Sequence, residues 1–525
     1  MENRKEEFLK IVCQIYLIAV LAVLPLYYIP WNGYYKLGDT KYYLYRNISL
    51  CCLGICLAVG LLSVVSGWCV KLMHRSDESL RSVAKNLPGK CRKHAVSIAV
   101  WLYALAAVIS AVCSPYGRTA WNGEREWYMG ALTICLMAGG YWLTANYGGQ
   151  CRLAVFLGEA TMAIVSLTGL LQKLGYDPLG LLRGYVVGGW EYTHMLSTLG
   201  NTNWLGGYYS VMLPFSLALF RQAISGEKKI PKIVLGTCSL FAIMLLLLQG
   251  SAGGVIVACM AIGVCFWLDR EKALLWEPFL LLLAGVCVGI RIWGIGMKDL
   301  GTYDILLQDG IAKRLAAWPG SLLLALLCLF LCGIHHVLPE NKKRILRKGI
   351  LYGGLLAAAI VFAWYLYRLK AMDFSEWGNR RGKLWQMAWT GFREGKLHQK
   401  LLGAGPDCFA EYLGALLPGG TVLYDQGYFN GSVFTNAHNE WFTTLINMGL
   451  LGVGAYAAVF ITALRNYRKS FFGILLLFTY GVHSLISFQQ VLNAPFFFLM
   501  LGLCEADRRR KTVRTDRNEE SIEDK

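Results

Sequence analysis

One long polar segment of this chain carries the residues best suited to chemistry. Arg380 and Arg381 lie near its start, and His438 lies at its end, just before an apolar run. A guanidinium binds phosphate or carboxylate groups through paired N–H donors. An imidazole with a pKa near neutrality can accept a proton at physiological pH. These residue types suit proton transfer beside a bound anion.

Each of these residues also has a purely structural interpretation. The two arginines could anchor lipid headgroups. His438 could cap a helix that begins at Asn436 or Asn439, or it could bind an interfacial carbonyl group. Asn201 and Asn203 precede another apolar run, where they could bind a substrate or cap a helix.

The rest of the sequence has the composition of an integral membrane protein. Of its 525 residues, 56% are hydrophobic and 16% are charged, whereas about 25% are charged in a soluble domain. Apolar runs alternate with short charged loops, and about 20 helical residues cross the hydrocarbon of a bilayer. We therefore expect an all-α fold, a polytopic transmembrane helical bundle of about 12–14 spans. Fourteen candidate spans lie at about 11–29, 48–70, 95–113, 128–145, 153–172, 204–220, 233–248, 253–268, 279–297, 320–337, 350–367, 437–463, 471–487 and 491–505.

The distribution of charge predicts how the chain is oriented. Lys and Arg fall mainly in alternate loops, which the positive-inside rule assigns to the cytoplasm. This assignment places both termini in the cytoplasm of a multi-pass cell-membrane protein. It also explains the net charge of +18 by topology and contact with membrane lipids, so no nucleic-acid partner is expected.

The same pattern divides the chain into three parts. We predict a transmembrane domain over 1–505, a large extracytoplasmic loop over 368–436 within it, and a charged cytoplasmic tail over 506–525. The tail lacks aromatic residues and is expected to be disordered. The loop is long for a connection, which favours a functional role.

Two further patterns bear on the site. The 17 cysteines lie mostly inside spans and include no CxxC pair, so neither a zinc site nor a redox site is expected. Within the long loop, apolar residues at helical spacing predict an amphipathic helix lying flat at the membrane interface. The stripe consists of Leu384, Trp385, Ala388, Trp389 and Phe392.

The order of several short motifs resembles that of the O-antigen ligase and polysaccharide polymerase superfamily. The resemblance covers about residues 100 to 490 and includes the long loop before His438. The motifs are Ser114-Pro115-Tyr116, Thr198 to Asn203, Arg381-x-x-x-Trp385, Leu402-Gly403-x-Gly405-x-x-x-Phe409, Ala437-His438-Asn439 and Gly449-Leu450-Leu451-Gly452.

This resemblance implies a metal-independent polysaccharide ligase or polymerase without a cofactor. Its donor would be a glycan on undecaprenyl diphosphate, and its acceptor would be a hydroxyl group of a glycan or a lipid. Arg381 would then hold the diphosphate and His438 would act as general base, as the two catalytic residues. The residues implied in substrate binding are Arg380, Arg125, Asn201, Asn203 and Asn439.

The chain departs from the family pattern at two positions. Members often carry Ser-Arg between the seventh and eighth spans, but here Ser251 is followed by Ala252. A second phosphate-binding cation would have to come from elsewhere, with Arg380 and Arg125 as candidates. Asn447 stands where members often have Glu, so a role for that carboxylate does not carry over.

Two other classes of membrane protein stay open at this point. A transporter or flippase of lipid-linked glycan would carry ionisable residues at mid-span and internal repeats. Here Glu159 is the main mid-span candidate, and no repeat is evident. A cell-wall glycan polymerase of the shape, elongation and division type would also be polytopic with a large outer loop. The motif around His438 argues against it.

The predicted topology can be tested by cysteine labelling. In a cysteine-free background, Ser432→Cys should react in intact cells with a membrane-impermeant reagent, because 368–436 is predicted outside. Ser79→Cys should not react, because 71–94 is predicted inside. The reverse pattern would overturn the topology.

Overall fold

The computed structural model describes residues 2–73, 94–271, 274–307, 311–317, 319–369, 373–416 and 434–523. Each of the fourteen predicted apolar segments coincides with a helix. Most of the predicted inner loop 71–94, and positions 370–372 and 417–433 of the predicted outer loop, lie outside the described residues. They include both labelling positions, Ser79 and Ser432.

The first half of the chain begins with a helix that passes through a π-helical turn at Ala19–Val23. The helices are α1 (Glu2–Ile18), α2 (Leu24–Leu26), α3 (Leu37–Met73), α4 (Ala95–Val112), α5 (Gly117–Asn122), α6 (Ala131–Tyr147), α7 (Arg152–Lys173), α8 (Trp190–His194), α9 (Thr202–Ile224), α10 (Lys229–Leu248) and α11 (Ala252–Leu268). A short antiparallel pair, β1 (Met195–Leu196) and β2 (Gly200–Asn201), precedes α9.

The second half is also helical. Its helices are α12 (Trp276–Asp299), α13 (Tyr303–Leu306), α14 (Ile311–Ala317), α15 (Gly320–Val337), α16 (Glu340–Leu369), α17 (Trp377–Glu394), α18 (Leu397–Leu402), α19 (Phe409–Leu416), α20 (Glu440–Tyr467), α21 (Phe471–Ile486) and α22 (Ala494–Glu523). Single 3-10 turns lie at Gly148–Gln150, Ser197–Leu199 and Phe374–Glu376.

The lengths and composition of these helices are those of a polytopic membrane protein. Among the described residues, nine helical stretches are long and apolar enough to cross a membrane, and α11 and α21 are shorter apolar helices. Because strands contribute only the four residues of β1 and β2 to the described part, the all-α prediction is confirmed.

The core forms around α9. Most of its side chains are buried, and it packs against α10, α11 and α21. Gly207 permits a close approach, because a Cβ there would lie 2.8 Å from the Asn493 amide. The pairs α4 with α20 and α6 with α22 complete the interior.

By contrast, α16 lies at the periphery and has almost no buried residues. Large apolar side chains such as Leu355, Phe362 and Trp364 are exposed along it. A soluble protein rarely presents so much apolar surface, so this helix is suited to contact with lipid.

Two successive pairs of apolar helices, α10 with α11 and α21 with α22, are joined by short turns. The α10–α11 turn occupies 249–251. In the α21–α22 turn, the Asn493 side chain accepts hydrogen bonds from the N–H groups of Gln490 and Ala494 and donates to Phe488 O. These bonds satisfy polar backbone groups within a buried turn.

The tail differs from its prediction, because α22 continues through Glu523 instead of ending near residue 505. The buried Glu505 carboxylate accepts from Arg508 at 2.7 Å and Arg509 at 2.9 Å. Asp507 pairs in the same way with Arg510 and Lys511. Opposite charges three and four residues apart stabilise a helix, so the expected disorder over 506–525 is wrong for 506–523.

Candidate functional site

The two predicted catalytic residues lie in the wall of one cavity. Arg381 and His438 line a space of about 680 Å³ that α17, the start of α20 and the segment before α9 enclose together. This volume is typical of pockets that bind small ligands, about 300–1,000 Å³. Asn201 and Asn203 line the same cavity.

A left-handed turn places Arg381 at the start of the regular part of α17. Gly378, Asn379 and Arg380 all have φ between 59° and 68°, and helical geometry begins after them. Gly382 is required here, because the Phe374 carbonyl occupies the position that a Cβ would need. The turn thereby fixes where the Arg381 side chain leaves the backbone.

The guanidinium of Arg381 has no hydrogen-bond or ion-pair partner among the described residues. Burial lowers its pKa, but an arginine remains protonated in proteins. A half-buried cation without a partner is costly unless an anion joins it. The cavity therefore presents an unsatisfied positive charge.

The other two arginines predicted to bind substrate do not line this cavity. Arg380 instead forms an ion pair with Glu376, with 3.9 Å between N and O. Arg125 lines two neighbouring cavities. The second cation of the central cavity is Lys36, which has no carboxylate within ion-pair distance in the described parts of the chain. Sequence reasoning missed Lys36, since it lies some 340 residues before Arg381 in a loop without a motif.

A network of hydrogen bonds shapes the backbone around His438. Its φ is +48°, an uncommon value for a residue other than glycine. Its N–H donates to Asn436 Oδ1 at 3.0 Å, and Ala437 N donates to Thr443 Oγ1 at 3.0 Å. Trp385 Nε1 donates to Ala437 O at 3.0 Å. This last bond joins α17 to the histidine loop, so Arg381 and His438 are held together.

The imidazole of His438 is enclosed by aromatic rings and is neutral. Phe434 and Phe488 meet it edge to face, with ring centroids 6.0 Å and 5.0 Å away. Burial, and secondarily the charge of Arg381, lowers the pKa of His438 to about 3. Its Nδ1 is buried and has no partner in the described part of the chain, which leaves Nε2 as the nitrogen available to a ligand.

Asn439 serves as the N-cap of α20. Its Oδ1 accepts from Trp441 N at 2.9 Å and Phe442 N at 3.1 Å, while Nδ2 donates to Leu485 O at 2.8 Å. Both ends of the amide are therefore occupied, and Asn439 does not line the central cavity. The alternative that His438 caps this helix is wrong, because Asn439 does so.

The sequence left open whether Asn201 and Asn203 cap a helix or bind a substrate, and their positions suit both roles. Asn201 is the N-cap of α9, with its Oδ1 accepting from Asn203 N at 2.8 Å. Asn203 Oδ1 accepts from Ser251 Oγ at 3.2 Å. Both residues nevertheless face the cavity. The turn at Ser251 thus supports the cavity wall from behind.

The apolar stripe of α17 packs mainly on protein and does not lie flat on the membrane as predicted. Leu384 and Ala388 are buried. Trp385 contacts Trp377 at 4.7 Å and Phe442 at 5.9 Å between ring centroids. Only Trp389 is largely exposed, at 53%. Trp385 therefore attaches the long loop to the helical bundle and helps to position the site.

The glycine motif after α18 makes a break in α20 possible. Gly449 has φ +63° and interrupts the helix. The carbonyls of Ile446 and Asn447 then accept from Ala404 N at 3.0 Å and Gly405 N at 2.9 Å. Gly403 and Gly405 both have positive φ, and a Cβ on Gly403 would lie 2.3 Å from backbone atoms of α20.

The buried carboxyl group of Asp407, which the sequence analysis did not single out, binds a second loop next to this break in α20. Asp407 Oδ2 accepts from Glu124 N at 2.7 Å and Met129 N at 2.9 Å. Burial raises its pKa from an ordinary value of 3.8 to about 7, against the opposing effect of these two N–H donors. An Asp after Gly405-Pro406 is typical of an ordinary turn, so the sequence did not indicate that this carboxyl group is buried.

Other lining residues also come from segments without motifs. Several of them are aromatic or acidic, and the acidic ones can accept hydrogen bonds from hydroxyl groups. Examples are Trp127, Glu126, Glu191, Trp204 and Phe488. In the described parts of the chain, no three His, Cys, Asp or Glu side chains are grouped so as to hold a metal ion.

Comparison with known proteins finds no matching family model and no matching curated protein.

The buried carboxyl of Asp407 makes a prediction about stability and pH. Between about pH 4 and pH 7 the folded state keeps its proton while the unfolded state loses it. The unfolded state then binds fewer protons, so stability should fall as pH rises through this window and change little above it. Thermal unfolding of the purified protein, followed by tryptophan fluorescence at several pH values, measures this slope.

Asp407→Asn keeps an acceptor oxygen for both N–H groups but cannot ionise, so it should fold and lose this part of the slope. Asp407→Ala should be less stable by roughly 1–3 kcal/mol, because it leaves two buried donors unsatisfied. An unchanged pH slope in the Asn variant would contradict the account.

Proposed function

We propose that the chain is a membrane glycosyltransferase-type ligase or polymerase that acts at the outer face of the cell membrane. It transfers a glycan from an undecaprenyl-diphosphate carrier to a hydroxyl group of a glycan or lipid acceptor during assembly of cell-surface polysaccharide. One observation carries the proposal: Arg381, which has no partner among the described residues, and the neutral His438 line one ligand-sized cavity.

The cations of the cavity suit a diphosphate. Arg381 can bind two phosphate oxygens with its planar pair of donors. Lys36 adds a second positive charge, in the role for which Arg380 and Arg125 were candidates. Glu126 and Glu191 can accept hydrogen bonds from sugar hydroxyls in the same cavity.

The chemical step needs only these groups. The acceptor oxygen attacks the anomeric carbon, and His438 Nε2 takes the proton from that oxygen as the new C–O bond forms. The bond between the anomeric carbon and the phosphate oxygen breaks, and the diphosphate departs with its electron pair. Arg381 and Lys36 stabilise the negative charge on the leaving group.

The donor itself controls the strength of the base. In the empty cavity the charge of Arg381 helps to hold the pKa of His438 low. A bound diphosphate compensates that charge, so the pKa of the imidazole rises when the donor is in place. Proton abstraction is then favoured only in the donor complex, which limits wasteful reaction with water.

The orientation of the protein in the membrane is inferred from the charge pattern. Basic loops on alternate sides place the termini in the cytoplasm and the cavity outside. The lipid carrier would approach through the membrane, and the acceptor from the outer aqueous side. Ligation and polymerisation use the same chemistry and differ in the acceptor.

Removal of the base should slow transfer without preventing donor binding. His438→Ala is expected to lower the rate of transfer by about 10²–10⁴-fold, the usual contribution of a general base. Purified protein in nanodiscs, with lipid-linked donor and acceptor, gives the rate, and the free donor gives the binding constant. His398→Ala, on the exposed surface of α18, is the matched control and should retain full activity.

Wild-type activity in His438→Ala would remove this residue from the mechanism. Loss of donor binding, with normal folding, would make it a binding residue. The pH dependence adds a second readout, because the acid limb should lie at higher pH for kcat than for kcat/KM.

The arginine should not tolerate replacement by another cation. Arg381→Lys keeps the charge but loses the planar pair of donors, so it should lose about 2–4 kcal/mol of transition-state stabilisation, or roughly 30- to 1000-fold in rate. Arg380→Lys, one residue earlier and outside the cavity, is the matched control. Equal activity of the two variants would assign Arg381 to lipid anchoring.

A further inference from the structure

Two further cavities adjoin the central one on the same face of the molecule. The first, of about 600 Å³, shares Lys36 with the central cavity. The second, of about 480 Å³, shares Tyr43, Arg125 and Tyr128 with the first. The three spaces therefore follow one another along connected walls. We call the first and second together the outer groove.

The walls of the outer groove are aromatic and polar at once. Tyr42 and Tyr128 are buried and stack on each other, with ring centroids 4.0 Å apart, whereas the Tyr43 ring is 45% exposed and lines the groove. Tyr128 donates to Asp39 Oδ1 at 2.9 Å, and Asn47 lines the groove nearby. Flat rings pack against the C–H faces of sugars, and amides and carboxylates bind their hydroxyl groups.

The far end of the outer groove is strongly basic. Arg46, Arg118 and Arg125 line it together with the single acidic residue Glu124. No carboxylate of the described chain lies within ion-pair distance of these arginines. Arg46 lies over the Tyr43 ring, 4.9 Å from its centroid. Guanidinium groups whose charge no described carboxylate neutralises select anionic ligands.

We propose that the outer groove binds the acceptor as an acidic glycan, with carboxylate or phosphate substituents at Arg118 and Arg125. This inference rests on the proposed function, because it takes the central cavity as the site of transfer. The groove's walls continue from that cavity, the volumes of its two parts suit several sugars, and the exposed Tyr43 ring suits a sugar face. An isolated lipid headgroup would need only a shallow basic patch.

The test measures binding to the full-length protein in nanodiscs of phosphatidylcholine, without donor. The probes are an oligogalacturonate of six sugars and maltohexaose, which is neutral and equally long. The wild-type protein should bind the acidic probe at least about 10-fold more tightly, and salt should weaken that preference. The Arg118→Gln/Arg125→Gln double variant should lose it. Arg393→Gln, on the exposed side of α17, is the control and should keep it.

Equal binding of the two probes by the wild type, or a preference that survives in the double variant, would overturn the inference. In a parallel measurement with nanodiscs that also contain phosphatidylglycerol, a double variant that loses only the retention of this lipid would overturn it too, since that result would assign the arginines to a lipid headgroup. Because the donor is absent, the result is separable from the proposed function: unimpaired transfer by His438→Ala would refute catalysis while leaving selective glycan binding intact.

Discussion

The site depends on one hydrogen bond, from the Trp385 indole N–H to the carbonyl of Ala437. Trp385 lies one helical turn after Arg381, and Ala437 directly precedes His438. A bond between these two partners therefore fixes the arginine relative to the histidine, although 56 residues of chain separate them. The break at Gly449 supports the same region, since its freed carbonyls hold the segment that carries Asp407.

The charges in the cavity favour the binding of an anion. Arg381 is half buried without an anion, and His438 is kept neutral beside it. Each feature is unfavourable for folding, and a bound diphosphate relieves the first, together with the smaller part of the second that the charge of Arg381 causes. Strained backbone at Arg380 and His438, both with positive φ, is typical of positions that function maintains against stability.

Sequence patterns could predict the helices, because an apolar run must find lipid or a core whatever its neighbours are. They could also predict the turn glycines and that Arg381 and His438 belong to one segment. They could not predict Lys36, Glu126 or Asp407, whose neighbours are set by packing between distant helices. For the same reason the sequence analysis assigned Arg125 and Asn439 to a site that they do not line, and it assigned Trp385 to the membrane interface.

The central claim is that one lipid diphosphate lies between Arg381 and His438. A cryo-electron microscopy structure of the protein in nanodiscs, with a non-cleavable lipid-linked glycosyl diphosphate, tests this most directly. The account predicts diphosphate oxygens within hydrogen-bond distance of the Arg381 guanidinium, with the anomeric carbon facing His438. A diphosphate bound elsewhere, with the guanidinium of Arg381 still unliganded, would contradict it.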